Sequence, residues 1–279
     1  MKHARALRPP EIIFLCYFIY TAALAGIMRL PHVVWTVLVL VAVAALIALL
    51  IRIDRHGVAR DWVPLGLVII AYREMNWFTR PHSAHSLETG WQTIDRALLG
   101  HYGLRGAIEA AGWPLSLYLE LCYLFVYATG FIMMWVVYAA RRRDAAGRVL
   151  TVYLTGTLLA YAMFPFFPSD PPRVLFTDLV PTIVTPVRRF NLWIVSGAGI
   201  HSSVFPSAHV SSAFSAAFAL LLYLPGKKWA GWGMFAYACS VAVATVYGRY
   251  HYSVDAVAGL TVAAIAAVVV RLTTAHSQR

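Results

Sequence analysis

Apolar residues run in eight stretches along this chain, at 11–30, 33–51, 61–78, 114–140, 149–167, 206–224, 229–247 and 251–271, with short charged or proline-bearing connections between most of them. Crossing the hydrocarbon core of a bilayer takes about 20 mostly apolar residues per helix. The pattern therefore predicts an all-α, polytopic integral membrane protein of about eight transmembrane helices. The third stretch is the shortest, because its apolar core from Val63 to Tyr72 runs straight into Arg73 and Glu74. A shorter or re-entrant element fits it as well as a full span.

Two of the connections carry further information. Between the third and fourth stretches, Trp91, Ile94, Leu98 and Tyr102 recur at helical spacing while Gln92, Asp95, Arg96 and Arg105 lie elsewhere around the turn. This predicts an amphipathic helix lying in the membrane interface. The connection 168–205 is long and carries Pro168, Pro171, Pro172, Pro181 and Pro186, and long loops of this kind are often functional.

Composition agrees with the pattern, at 60% hydrophobic and 13% charged residues. A net charge of +11 would suit nucleic acid, but the basic residues stand in short clusters between apolar runs, where the positive-inside rule puts them. Lys2, Arg5 and Arg8, then Arg52, Arg55 and Arg60, mark the cytoplasmic side. Alternation from there brings Arg141, Arg142, Arg143, Arg148, Lys227, Lys228, Arg271 and Arg279 to the same side, so that 14 of the 23 basic residues lie inside. Both termini are then cytoplasmic, and short loops in a compact chain point to a bacterial inner membrane. Lys2 to Arg8, an apolar run and Ala23-Leu24-Ala25 mimic a signal peptide, but Glu11 and the neighbouring aromatic residues favour an uncleaved first helix. Cys16, Cys122 and Cys239 have no paired spacing and read as packing residues.

The candidate chemistry lies in the last third of the chain. Phe205-Pro206-Ser207-Ala208-His209 opens the sixth stretch. Proline in a first turn and the free amides of a helix start make an anion site, with His209 within reach of a bound phosphate. Gly248-Arg249-Tyr250-His251-Tyr252-Ser253-Val254-Asp255 opens the eighth. Residues four apart share a helix face, so Asp255 can hold one ring nitrogen of His251 and leave the other free to attack. Each motif alone also has a structural reading, as a cap or as a stabilising buried pair. Alternation, however, puts both on one membrane face together with Pro168-Ser169-Asp170-Pro171-Pro172-Arg173, and Arg173 adds a guanidinium suited to bidentate phosphate recognition. Ionisable residues in membrane helices generally face the bundle interior and mark function. His82, His85 and Glu88 lack a fourth partner for a metal, and the chain implies no metal or organic cofactor.

On these residues the chain resembles the type 2 phosphatidic acid phosphatase superfamily, whose signature pairs Pro-Ser-x-His with a later His-x-x-x-Asp at the ends of neighbouring membrane helices. Both elements are present as Pro206-Ser207-Ala208-His209 and His251-Tyr252-Ser253-Val254-Asp255. The Phe-Pro-Ser-x-His form, Pro-x-x-Pro-Pro-Arg at 168–173 and the His-Tyr-x-x-Asp form look like the branch containing inositol phosphorylceramide synthases, and Asp95-Arg96-Ala97-Leu98-Leu99-Gly100 echoes it. The resemblance covers about 150–271. It implies a six-helix phosphatase-type core, His251 as the nucleophile that forms a phosphohistidine, Asp255 as its orienting partner and His209 as the acid for the leaving group. The chain departs from the family pattern where Ser-Arg is expected six to seven residues before the nucleophile, since Ala244-Thr245 stands there. Arg173, Ser207 and Arg249 are the candidate phosphate-binding residues, and Arg73 and Arg80-Pro81 match the spacing of the family's first element at a different place in the chain.

The expectation is thus an N-terminal two-helix hairpin at 1–60 and a catalytic domain at 61–279, with its motifs in 165–259. The active site opens on the extracytoplasmic face, and the substrate is a lipid phosphate or phosphodiester in the bilayer. With water as acceptor the protein is a lipid phosphate phosphatase. With an alcohol such as inositol, ceramide or diacylglycerol it is a phosphotransferase. A transporter or scaffold that binds lipid phosphate without reacting is the reading from a different class, although the half-chain symmetry frequent in transporters is absent from the sequence.

Overall fold

The computed structural model describes residues 6–54, 56–79, 85–200, 202 and 204–276, and every regular element among them is helical. The N-terminal part contains α1 (Pro9–Ile27), α2 (Val33–Ile53) and α3 (Ala59–Glu74), followed by α4 (Ser86–Asp95) and α5 (Leu104–Ala110). Then come α6 (Trp113–Phe125), α7 (Thr129–Ala139), α8 (Ala146–Met163), the single turn α9 (Pro172–Leu175) and α10 (Pro186–Ala198). The chain finishes with α11 (Ala208–Tyr223), α12 (Lys228–Tyr247) and α13 (Ser253–His276).

Among the described residues, six segments are long and apolar enough to cross a membrane: Pro9–Ile27, Val33–Ile53, Trp113–Ala139, Arg143–Phe166, Pro225–Tyr247 and Ser253–Ala275. The chain is therefore a multi-pass membrane protein. The other two expected spans are the 16-residue helices α3 and α11, each about 24 Å long. Helix α3 carries Arg60, Asp61, Arg73 and Glu74 near its ends, which shortens its apolar part.

Helix α11 is short and sits at the centre, against α8, α12 and α13. Its buried residues are mostly small, including Ser211, Ser212, Ala213, Ser215, Ala216, Ala217 and Ala219. In a bilayer, helix association depends on close packing because lipid tails are as apolar as the side chains, and small residues let backbones approach. At Gly156 of α8 a Cβ would collide with the Ser215 hydroxyl, and at Gly259 of α13 it would collide with the Ser207 carbonyl. These two glycines set the distance of α8 and α13 from α11. Helix α2 lies at the edge, with Val34, Val37, Leu38, Val41 and Leu49 exposed, as a lipid-facing helix should be.

One end of the bundle is fastened by charge. Arg60 donates to both carboxylate oxygens of Glu11, at 2.6 and 2.7 Å, with both side chains buried. Glu11 also caps the backbone N–H of Arg8. Asp61 accepts from Arg8 at 2.9 Å, from Tyr138 at 2.7 Å and from Arg143 at 2.8 Å. The starts of α1 and α3 and the turn between α7 and α8 are thereby held together.

Removing one partner of a buried ion pair leaves an uncompensated charge, at a cost of about 3–5 kcal/mol. Glu11→Ala is expected to lower the thermal unfolding temperature of the detergent-solubilised protein substantially. Arg8→Ala, whose partner Asp61 keeps Arg143 and Tyr138, should lower it much less.

Candidate active site

At the other end of the bundle, three chain segments converge because each begins or ends a buried helix. Helix α11 starts after Ser207, whose hydroxyl accepts from the Val210 N–H at 3.3 Å as an N-cap. Pro206 therefore precedes the cap and does not occupy the first turn, as the sequence pattern suggested. The turn 248–252 folds back over the end of α12, where the Thr245 carbonyl accepts from the N–H groups of Tyr250 and His251. His251 lies in this turn, just before α13 and not on its face, yet it still meets Asp255.

The Nδ1 of His251 is 3.3 Å from Asp255 Oδ2, which also accepts the Tyr252 N–H at 2.9 Å. The Nε2 of His251 is 3.2 Å from Nδ1 of His209. The Ser207 N–H donates to the Asp255 carbonyl at 2.9 Å, which ties the start of α11 to the first turn of α13. Arg173 completes the group, because its backbone N–H donates to the Arg249 carbonyl and its guanidinium donates to the Tyr250 carbonyl at 3.4 Å, above the Tyr250 ring. Arg173, His209 and His251 line one small cavity of about 40 Å³. Burial and then the nearby Arg173 guanidinium push His251 down to about 3, so its ring is neutral around pH 7 and keeps a lone pair.

The cavity continues past His209 into a larger one of about 250 Å³ between α3, α7, α8 and α11, with Tyr72, Tyr127, Ala208 and His209 lining both. Arg73 lines the larger cavity. Arg80, and His82 of the possible metal group, lie outside the described residues.

Arg249 is directed elsewhere. It has no exposed surface, and its guanidinium donates to Asp95 and to the Gln92 side-chain carbonyl. The reason is that Asp95 at the end of α4 is buried as well, accepting from the Ser253 N–H at 2.9 Å and the Ser253 hydroxyl at 2.7 Å. Only a cation balances that carboxylate at this depth. Arg249 adopts φ 61°, a left-handed conformation that costs a non-glycine residue about 1–3 kcal/mol, and the pairing holds it there.

The amphipathic helix exists, with its polar face turned into the protein and its apolar face outward. Gln92, Asp95 and Glu88 point inward, while Leu87, Ile94 and Tyr102 are exposed. Trp91 stacks on Phe205 and packs against Tyr252. Glu88 Oε1 accepts the Asp170 N–H at 3.1 Å and lies 3.4 Å from His85 Nδ1. This group pins the loop bearing Arg173 onto α4.

A second buried network escaped the sequence reading. Glu120 of α6 accepts from Arg188 at 2.8 Å, from Asn191 at 2.8 Å and from the Tyr250 hydroxyl at 2.7 Å, and Arg188 also donates to the Gly248 carbonyl. An acid inside the apolar stretch 114–140 was the available signal, since such residues seldom lie unpaired in a membrane.

The PAP2 superfamily profile matches residues 92–269. The chain belongs to the PAP2 superfamily. Among solved structures, the crystal structure of LpxE from Aquifex aeolicus is similar at 18% identity, covering 60% of this chain and 92% of that one with a TM-score of 0.45, a likeness too loose to add to the argument. No relative among curated proteins matches the chain.

Two outcomes follow from this geometry. Asp95→Ala strands the Arg249 guanidinium and uncaps α13, so thermal stability should drop by about 3–5 kcal/mol and any phosphate turnover should fall with it. For His251, the unfolded value of about 6.5 lies above the folded one. The unfolded chain binds the proton in the window from about 6.5 to about 3 while the folded chain does not, so this ring's stabilisation is complete above the window and lost as pH falls through it. Unfolding of His251→Asn across that window should depend less on pH than that of the wild type.

Proposed function

We propose that this PAP2-superfamily chain is an integral-membrane lipid phosphate phosphatase working through a phosphohistidine. The observation that carries the reading is the meeting of His251 on Asp255, His209 and Arg173 around one small chamber at the end of the helix bundle. Arg173 holds phosphate oxygens. The Nε2 lone pair of His251 attacks phosphorus as the bond to the lipid oxygen breaks, and His209 gives that oxygen a proton. His209 then takes a proton from water, whose oxygen displaces the His251 nitrogen and releases inorganic phosphate. Asp255 keeps the His251 ring oriented and stabilises its positive charge, the role a carboxylate plays beside a catalytic histidine.

The remaining sequence expectations enter the proposal at the same level. The catalytic domain is 61–279, with 1–60 as an accessory hairpin whose first helix packs on α8. The basic end of the bundle, with Arg8, Arg60 and Arg143, faces the cytoplasm under the positive-inside rule. The site then opens on the other side, of a bacterial inner membrane. The phosphotransferase reading draws on the Phe-Pro-Ser-x-His and Pro-x-x-Pro-Pro-Arg forms of the inositol phosphorylceramide synthase branch. In that case an alcohol such as inositol, ceramide or diacylglycerol replaces water in the second step.

Purified wild type should release phosphate from lipid monophosphates, and His251→Ala should lose at least about a thousand-fold in kcat, as removing a nucleophile or its base does elsewhere. Arg173→Ala should raise KM and lower kcat/KM strongly, whereas Arg73→Ala should act weakly. Near-normal activity without Arg173 would sink its role. A new phospholipid formed only when an acceptor alcohol is added would replace the phosphatase with the transferase. Binding of lipid phosphate with no turnover under any condition would favour the scaffold or transporter.

A further inference from the structure

Asp255 holds the ring of His251, but no carboxylate does the same for His209. Among the described residues, the side chain of His209 makes one hydrogen bond, the contact with His251 Nε2, and that nitrogen has to be released before it can attack phosphorus. A histidine that hands over a proton needs its ring held, ordinarily by a hydrogen bond at its second nitrogen. Here aromatic rings take that place. Tyr123 stacks on the His209 imidazole with centroids 5.1 Å apart and planes 27° apart, and Tyr127 meets it edge-on at 5.5 Å and 83°. Both arrangements are the ones that the charge distribution of aromatic rings favours.

The rings come from one side of one helix. Glu120, Tyr123 and Tyr127 follow one another at intervals of three and four residues, the spacing of neighbours on a helix surface. Tyr123 is buried and is itself fixed by Tyr250, whose ring lies 3.7 Å away and within 10° of parallel. Tyr250 is anchored in turn, because its hydroxyl donates to Glu120 at 2.7 Å, and Glu120 is held by Arg188 and Asn191. Contact is therefore continuous from a buried ion pair, through Tyr250 and Tyr123, to the imidazole of His209. Arg173 joins the same frame, since its guanidinium donates to the Tyr250 carbonyl and lies 5.8 Å above the Tyr250 ring. The network around Glu120, which the chemistry above leaves without a task, thus ends on the one histidine that lacks a carboxylate partner.

Resting on the phosphatase reading, we infer that Tyr123 is a positioning residue for the leaving-group proton: its ring, backed by Tyr250 and Glu120, orients the His209 imidazole that protonates the departing alcohol.

The test uses the full chain in lipid nanodiscs and two lipid-like monoesters, a straight-chain alkyl phosphate and a nitrophenyl phosphate bearing an alkyl chain. An alcohol oxygen leaves poorly without a proton, whereas a nitrophenolate is stable enough to leave without one, so a general acid matters for the first ester and little for the second. Tyr123→Leu should lower kcat for the alkyl phosphate about a hundred-fold, the lower end of what a positioned acid contributes, while kcat for the nitrophenyl ester stays within about two-fold of wild type. Tyr123→Phe, which keeps the ring and gives up only the hydroxyl, should restore most of the alkyl turnover. His209→Ala should show the same bias between the two esters at its fullest. Tyr127→Leu, at a position 48% exposed and so tolerant of substitution, should show it more weakly, and it carries the test where Tyr123→Leu does not fold. Equal losses on the two esters, or alkyl turnover at the wild-type level in the leucine variants, overturns the inference while leaving the phosphatase standing. Wild type that releases phosphate from neither ester removes the phosphatase reading itself.

Discussion

A guanidinium shut away from solvent needs a carboxylate beside it, and the pairing of Arg249 with Asp95 is the contact on which the His251 end of this bundle depends. Asp95 simultaneously receives the first N–H of α13 through Ser253, so one carboxylate fixes the turn that carries His251 and the helix that carries Asp255. The Arg249 carbonyl accepts from the Arg173 N–H. His251, Asp255 and Arg173 are thus referred to a single buried charge pair. In a bilayer the alternative partners for these groups are absent, because lipid tails offer no hydrogen bonds.

The same rule operates at the opposite end, where Glu11 and Arg60 pair, and in the interior, where Glu120 gathers Arg188, Asn191 and Tyr250. Tyr250 is gripped from several directions, stacked on Tyr123, beneath the guanidinium of Arg173 and bonded to Glu120. Polar residues in this protein are consequently connectors between helices. The apolar surface, by contrast, sets only how closely α8, α11, α12 and α13 pack.

What the amino-acid pattern revealed and what it hid divide along sequence distance. His251 and Asp255 are four residues apart and Ser207 and His209 two, so local periodicity was enough to place each pair, and alternation of spans brought the pairs together with Arg173. The family membership and the membrane-spanning all-α character were legible for the same reason. Arg249 and Asp95 are 154 residues apart, and Arg188 and Glu120 are 68 apart; nothing in either neighbourhood specifies the other. Arg249 read as a candidate phosphate ligand because it stands beside His251, whereas the fold pairs its guanidinium with Asp95 and Gln92. Likewise the spacing of Trp91, Ile94 and Leu98 revealed an amphipathic helix, but the partners of its polar face, Asp170 for Glu88 and Arg249 for Gln92 and Asp95, lie far along the chain.

That two-faced helix has a mechanical consequence. Leu87 and Ile94 form the outer side of α4, and Gln92 and Asp95 its inner side. The helix is at once a float resting on surrounding hydrocarbon and a latch on the turn that holds His251. Whatever strips away the hydrocarbon around it pulls directly on a buried charge pair. Harsh detergents would then silence this protein at its latch before they unravel its bundle, and a preparation can keep its helical content after losing the arrangement that matters.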